Sequence, residues 1–201
     1  MRCKLMSTCL TLLLLPSALT AQIAIRGGLH GHLPPDDYNR SPGPQVMVET
    51  AIPFSGGASL RPGLSYASRG FGLSDGIALF EVNSSHLQLS GLVHASTSGS
   101  VGLAAEVGPY LGFRVGCDVS FGLGAVSRSE SCADLEDQEL DYKKVDMGIV
   151  AGLGAFFDVS ETMTLTLGVQ VYEGLTPFTE ADEEYTKLSA VSLLAGVEIG
   201  G

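Results

Sequence analysis

Apolar and polar residues alternate with a period of two along most of this chain. The clearest example is residues 101–116, VGLAAEVGPYLGFRVG, in which one face is wholly apolar and the other carries glycines, a tyrosine and two opposite charges. A period of two is the side-chain period of a β-strand and not of a helix. The segment is also long for a strand of a soluble domain. It therefore predicts a long amphipathic strand.

Seven further segments repeat this alternation. They are residues 22–31, 45–54, 58–69, 84–96, 145–159, 163–175 and 186–199. A tilted strand crosses a bilayer with about 9–11 residues, and each segment is long enough to do so. Together with residues 101–116, these segments predict an all-β fold of eight strands.

The connections between the segments alternate strictly between short and long. Residues 55–57, 97–100 and 160–162 are tight turns. The long connections are residues 32–44, 70–83, 117–144 and 176–185. In an up-and-down meander this order gathers every long loop at one end, which is typical of bacterial outer-membrane barrels. We therefore predict an eight-stranded antiparallel up-and-down transmembrane β-barrel with both termini at the short-turn end.

Charged residues favour the membrane barrel over a soluble eight-stranded one. Seven of them fall on the less apolar faces of the segments: Arg26, Glu49, Arg61, Glu106, Arg114, Asp146 and Glu198. A soluble barrel is apolar inside, and a dry core does not easily hold so many charges. In a membrane barrel the same groups face the lumen and can pair there. We expect them to form a lumenal charge network.

The N-terminus has the features of a secretory signal peptide. Arg2 and Lys4 give a positive start, residues 9–16 form an apolar run, and small residues lead to a cleavage site after Ala21. The apolar run is too short to span a membrane. We expect residues 1–21 to be the signal peptide and residues 22–201 the barrel domain, with an uncleaved anchor as the alternative.

Two cysteines, Cys117 and Cys132, remain after such a cleavage. Exported proteins can keep disulfides. A bridge here would close a loop of 16 residues, which the chain-entropy model values at roughly 3 kcal/mol. Two free thiols are the alternative. Since no histidine lies nearby in the sequence, a zinc site is not expected.

Four segments resemble strands of the outer-membrane β-barrel domain proteins, often labelled porin-family proteins. Residues 101–116 resemble the "aGpylgy" strand of that family, and ASLRPGLSYASRGFG resembles its "slqpellysqkG" strand. KKVDMGIVAGLGAFF resembles the "kkfDfGlvlGlG" strand, and VQVYEGLTPF the "arYnlGLtn" strand. The resemblance implies an eight-stranded barrel in the outer membrane of a bacterium with two membranes. It specifies a fold more than an activity.

The sequence departs from the family pattern in two places. The fourth strand of the family carries an aromatic-Leu-Glu-Ile-Pro core, whereas residues 85–90 read SHLQLS. We assign that strand by order and alternation alone. The family also ends on an aromatic residue that is part of the insertion signal, whereas this chain ends VEIGG. We expect an altered insertion signal.

The charge balance limits the partners. The net charge is −11, and it becomes −13 once Arg2 and Lys4 are removed. So acidic a chain will not bind nucleic acid through its phosphates. We expect outer-membrane lipid as the main partner, an extracellular ligand or surface contacted by the long loops, and a monomer.

The expected role is that of an integral outer-membrane protein with a structural or surface-contact function. Side chains just fill the interior of an eight-stranded barrel, so we expect the charge network to plug the lumen. A narrow porin-like channel for small solutes or ions is the alternative. A lipid-modifying outer-membrane enzyme is the second alternative.

Nothing in the sequence selects a catalytic, cofactor or metal site. Three histidines lie on inward faces or near a barrel end: His30, His86 and His94. Ser90 and His94 share a face but stand about 13 Å apart along a strand, because each residue adds about 3.3 Å. Ser65 or Ser192 could approach a histidine from a neighbouring strand. The third and fourth long connections carry acidic runs, at residues 134–141 and 180–184, which lack EF-hand spacing and are typical of a solvated surface.

Overall fold

The structure is a computed structural model that describes residues 22–33, 39–74, 78–123, 126–132, 144–177 and 187–200. The strands are β1 (Gln22–His32), β2 (Asn39–Ser55), β3 (Ala58–Ser74), β4 (Ala78–Ser96), β5 (Val101–Leu123), β6 (Val126–Ser131), β7 (Val145–Ser160), β8 (Met163–Pro177) and β9 (Lys187–Ile199). No helix within these ranges has the length and the apolar character to cross a membrane.

Eight of these strands form a closed antiparallel barrel. The order around the wall is β4-β3-β2-β1-β9-β8-β7-β5, and a further pairing between β4 and β5 closes the circle. Because β6 pairs only with β5 among the described strands, it extends the sheet outside the barrel and is not a ninth strand of the barrel wall. The predicted eight-stranded antiparallel barrel is confirmed.

Tight turns join the strands at one end, which we call the short-turn end. They lie at residues 56–57, 97–100 and 161–162, and both Gln22 and Ile199 are at the same end because β1 and β9 pair there. In the β2–β3 turn, Gly56 and Gly57 have φ of 55° and 80°. Positive φ at both central residues matches the right-handed twist of a two-residue hairpin, and only glycine adopts it without cost.

Several strands continue further into the predicted long connections than the alternation indicated. β2 begins at Asn39 and β5 ends at Leu123. Strands β3 and β4 occupy most of residues 70–83, which we predicted as a long loop. The reason is that backbone pairing persists beyond the zone where one face must be apolar, so the hydrophobic period fades before the strand ends.

The two faces of the wall have the expected chemistry. Outward residues of the barrel are apolar and exposed, as shown by Ile25 at 47%, Leu103 at 67% and Leu153 at 73%. Inward residues are buried and largely polar. The aromatic residues Phe54, Tyr66, Phe113 and Phe157 are exposed on the outer face, as expected of side chains at the boundary of the lipid.

A β-bulge in β5 changes which of its residues point to the buried side in the part of the strand beyond the barrel. His86 of β4 pairs with Arg114, whereas the preceding Ser85 pairs with Gly116, so Val115 is an extra residue. The buried positions of β5 are even-numbered as far as Gly112 but include odd-numbered Val119 beyond the bulge. The alternation of residues 101–116 therefore does not continue to the end of the strand.

The outer end of β5 carries a small sheet beyond the barrel. β7 pairs with β5 only as far as Phe113, and β6 takes the same edge from Asp118 to Leu123. Cys117 and Cys132 are joined by a disulfide with their Cα atoms 5.3 Å apart. Cys132 packs with Val82 and Val119 in a buried apolar cluster. We call β6 together with residues 117–123 the outer hairpin.

Candidate functional site

The barrel lumen collects most of the buried polar side chains. Alternation directs them inward from all eight strands of the wall. The larger ones are Arg26, His30, Gln45, Glu49, Arg61, Arg69, His86, Gln88, His94, Glu106, Asp146, Gln170 and Glu198, none more than 9% exposed. The lumen is therefore the candidate functional site.

Arg26 is the centre of the network nearest the short-turn end. Its Nη2 donates to Glu49 Oε2 at 2.5 Å, and its Nη1 donates to Glu106 Oε1 at 2.9 Å. β1 and β5 are four strands apart in either direction around the wall. The pair of Arg26 with Glu106 therefore crosses the full width of the lumen.

A second ion pair lies beside the first. Arg61 Nη2 of β3 is 2.8 Å from Glu198 Oε2 of β9, and both side chains are buried. His94, the cross-strand neighbour of Glu106, faces the same space. Five residues of the predicted charge network thus come together in two clusters of ion pairs.

Asp146 has a partner that the sequence reasoning missed. Arg69 Nη2 lies 3.2 Å from Asp146 Oδ2, and the Tyr110 hydroxyl donates to the same oxygen at 3.0 Å. Arg69 shares the inward parity of Arg61 on β3, which is the signal that could have identified it. Arg114, also in the predicted network, is half-buried and pairs across the strands with His86.

An apolar layer separates these charged groups. Its members come from β4, β5, β7, β8 and β9: Leu92, Tyr110, Val150, Tyr172 and Ala190. The rings of Tyr110 and Tyr172 meet edge to face with centroids 5.6 Å apart. The Tyr172 hydroxyl accepts from Gln45 Nε2 at 2.8 Å and donates to Gln170 Oε1 at 2.7 Å. The period-two alternation indicates on which side of the wall these residues lie, but not which residues they contact.

A cavity of about 510 Å³ opens at the short-turn end of the lumen. Its charged lining consists of Arg26, Arg61, Glu106, Asp158 and Glu198, together with His94. We call this cavity the vestibule. Arg26 and Glu106 of the network around Arg26 form part of its lining.

One serine–histidine pair forms inside the barrel. His30 Nδ1 and Ser192 Oγ are 2.7 Å apart, and both residues are fully buried. A hydrolytic triad needs an acid that orients the imidazole and a nucleophile that substrate can reach. The described contacts of His30 include no carboxylate, and nothing exposes Ser192. The pair is arranged as a structural hydrogen bond.

Other sequence expectations fall partly outside the described residues. The acidic runs at 134–141 and 180–184 lie outside them, as do residues 1–21. Within the described ranges, no group of three or more His, Cys, Asp or Glu side chains is suited to hold a metal ion.

Comparison with known proteins identifies similar chains. The sequence profile of a family described as "Outer membrane protein beta-barrel domain" matches residues 17–180. No curated protein matches the sequence. The fold is similar to that of Neisserial surface protein A, with 10% identity, coverage of 90% of this chain and 97% of that chain, and a TM-score of 0.51.

Two further solved structures are similar at lower scores. The outer membrane protein OprG from Pseudomonas aeruginosa has 12% identity and a TM-score of 0.48, and the match covers 90% of this chain and 95% of that one. The attachment invasion locus protein Ail of Yersinia pestis has 12% identity and a TM-score of 0.45, with 89% and 97% covered. At such identities the likeness concerns the fold alone.

Proposed function

Because the chain belongs to the outer membrane protein β-barrel domain family, and so resides in the bacterial outer membrane, we propose that it is a barrel with a filled lumen that acts through structural and surface contacts. The closed strand order leaves no open edge within the barrel, which supports a monomer in lipid. We propose no catalytic role, since the His30–Ser192 pair is sealed from substrate.

The ion pair of Arg26 with Glu106 is the observation that carries this proposal. It joins opposite sides of the wall directly, without an intervening water-filled space. Farther along β5, Tyr110 meets Tyr172, and beyond it Asp146 meets Arg69. Three successive layers of contacts thus occupy the lumen. A conducting path would have to displace each of them.

Uptake of a small sugar tests this proposal. Liposomes containing the folded protein are placed in an isosmotic arabinose solution, and swelling is followed by light scattering. We expect no swelling above that of empty liposomes, whereas a sixteen-stranded porin, which encloses an aqueous channel, swells them. Swelling reproducibly faster than that of empty liposomes would contradict the proposal and favour the narrow channel, of which the vestibule would form one end.

The outer hairpin supports the surface-contact part of the proposal. Its tip exposes apolar side chains, with Phe121 at 44%, Leu123 at 68% and Val126 at 73%. The disulfide and the cluster around Val119 tie its base together, and a preorganised surface binds at lower entropic cost. We propose that this tip contacts an apolar surface outside the cell.

Adhesion of bacteria that display the protein tests the contact role. We expect cells with wild-type protein to bind polystyrene, an apolar surface, more strongly than cells with the double variant Leu123→Ser/Val126→Ser. Arg128→Gln is the matched control, since Arg128 is exposed on the same hairpin and its replacement removes no apolar area. Equal adhesion of all three strains at equal surface levels would place the contact elsewhere and refute this role for the tip.

A further inference from the structure

The vestibule owes its volume to a row of small residues. Ala104 of β5 pairs with Gly154 of β7, which pairs in turn with Gly168 of β8. All three positions face the lumen by alternation. Three neighbouring strands therefore contribute almost no side-chain volume at the level of these residues. The small residues in the sequence thus create the cavity. Its volume of about 510 Å³ lies in the range of small-molecule sites.

The inner wall of the vestibule is charged and deeply placed. Arg26, Arg61, Glu106 and Glu198 line it, and each is at most 8% exposed. Glu49 lies behind them and accepts a hydrogen bond from Arg26. Each of the three glutamates contacts an arginine, but only two arginines serve them, so the clusters carry one net negative charge when all five groups are ionised. Unneutralised buried charge is costly, so this wall favours a positive ligand.

The mouth of the vestibule adds features that suit a cation with an apolar body. Asp158 lies at the exposed rim, where its Oδ1 accepts from the Thr164 hydroxyl at 2.7 Å. Phe156 lies over Gly102, so close that a Cβ on that glycine would stand 2.6 Å from its ring. An aromatic face attracts an ammonium group. The Thr166 hydroxyl also lines the vestibule and is buried without a hydrogen-bond partner.

We propose that the vestibule is a binding site for a small organic monocation, a primary ammonium group on a short apolar chain, which enters from the periplasmic side. Short turns of outer-membrane barrels face the periplasm. The ammonium would lie against Glu198 and Glu106, and the chain would lie along Phe156. A directly bound metal ion fits less well, because the described residues offer no cluster of three suitable donors.

Calorimetric titration of the folded protein in detergent micelles tests this site. The probes are n-butylammonium, butan-1-ol and butyrate, which share a carbon chain and differ in charge. We expect one butylammonium to bind per barrel and the other two probes to give no saturable signal. Tighter binding of butyrate, or no saturable binding of butylammonium, would overturn the proposal.

Two pairs of variants distinguish the contribution of carboxylate charge to binding from that of cavity volume. Glu198→Gln removes a carboxylate from the vestibule, and Glu173→Gln removes one from the exposed outer part of β8. Ala104→Leu fills the vestibule, and Ala105→Leu adds the same volume on the exposed lipid face. We expect the vestibule variants to weaken butylammonium binding at least tenfold and the two controls to change it less than twofold.

The size variants keep the test decisive if the charge variant does not fold. Removal of Glu198 takes the partner from Arg61, whereas Ala104→Leu changes no charge and breaks no hydrogen bond. Folding of each variant is checked by its gel migration before and after boiling. Unchanged butylammonium binding in folded Ala104→Leu would show that the cation binds elsewhere and would refute the site.

Discussion

Arg26 and Glu106 form a two-pronged ion pair across the full width of the barrel, with hydrogen bonds of 2.9 and 3.2 Å. The residues are 80 positions apart in sequence and four strands apart in either direction around the wall. Such fork-to-fork geometry is stronger and more specific than a single contact. The pair connects opposite sides of the wall like a cross-brace, and the proposal of a filled lumen rests on it.

Replacement of Arg26 tests the cross-brace. Arg26→Gln would leave Glu49 and Glu106 buried without a cation, and breaking a buried pair in this way costs about 3–5 kcal/mol. We expect a corresponding loss in the free energy of unfolding, measured by urea titration in lipid vesicles. Arg128→Gln is the control, because the exposed Arg128–Glu130 pair is worth at most about 1 kcal/mol. Equal effects of the two variants would contradict the account.

The Tyr172 hydroxyl offers a milder test of the lumenal network. Tyr172→Phe would leave Gln45 Nε2 and Gln170 Oε1 without their partner in a buried layer. Unsatisfied buried groups cost about 1–3 kcal/mol each, so we expect a clear loss of stability by the same titration. Tyr66→Phe is the control, because the Tyr66 hydroxyl bonds Ser85 at the exposed surface. If Tyr66→Phe destabilises as much, burial is not the cause.

Two glycines across the β4–β5 seam should respond differently to a methyl group. A Cβ on Gly108 would lie 2.1 Å from the carbonyl oxygen of Gly91, whereas a Cβ on Gly91 would meet no heavy atom within 4 Å. Overpacking against backbone costs about 1–3 kcal/mol. We expect Gly108→Ala to reduce the yield of folded barrel and Gly91→Ala to leave it unchanged, as read from heat-dependent gel migration. Equal yields of folded barrel from the two variants would show that the backbones of β4 and β5 do not approach each other this closely at Gly108.

The disulfide should stabilise the outer hairpin and not the barrel. Opening the loop of 16 residues between Cys117 and Cys132 removes roughly 3 kcal/mol of chain-entropy stabilisation. We expect the double variant Cys117→Ser/Cys132→Ser to be cut by trypsin after Arg128, which is 79% exposed, while the barrel keeps its compact gel band. Wild-type protein treated with a reductant serves as the parallel sample. Resistance of the double variant to trypsin would contradict this role of the disulfide.

The sequence pattern was sufficient for the fold and for the two faces of its wall. Period-two alternation places Glu106 inward and Leu103 outward, and the structure agrees. It could not pair Arg26 with Glu106, because contacts across a lumen depend on strand stagger, which no local pattern encodes. The polar inward residues were visible in the sequence, but their partners were not.

Two further features explain what the pattern missed. The bulge at Val115 reverses the facing of β5, and a single inserted residue leaves no mark in composition. Inward Leu92 and Val150 are apolar, so they do not differ from the outward face in polarity, and the alternation did not reveal the layer that they form with Tyr172. Arg69 lay at the end of a predicted segment, where a strand boundary is least certain by pattern alone.

Single-channel recording in a planar lipid bilayer tests the filled lumen most directly. The folded wild-type protein is inserted from detergent, and insertion is verified by recovery of the protein from the membrane. Because the Arg26–Glu106 pair and the Tyr110–Tyr172 contact occupy the lumen, we predict a current that shows no discrete steps above the bare membrane. Stable, discrete ion-conducting steps from the wild-type protein would contradict the account.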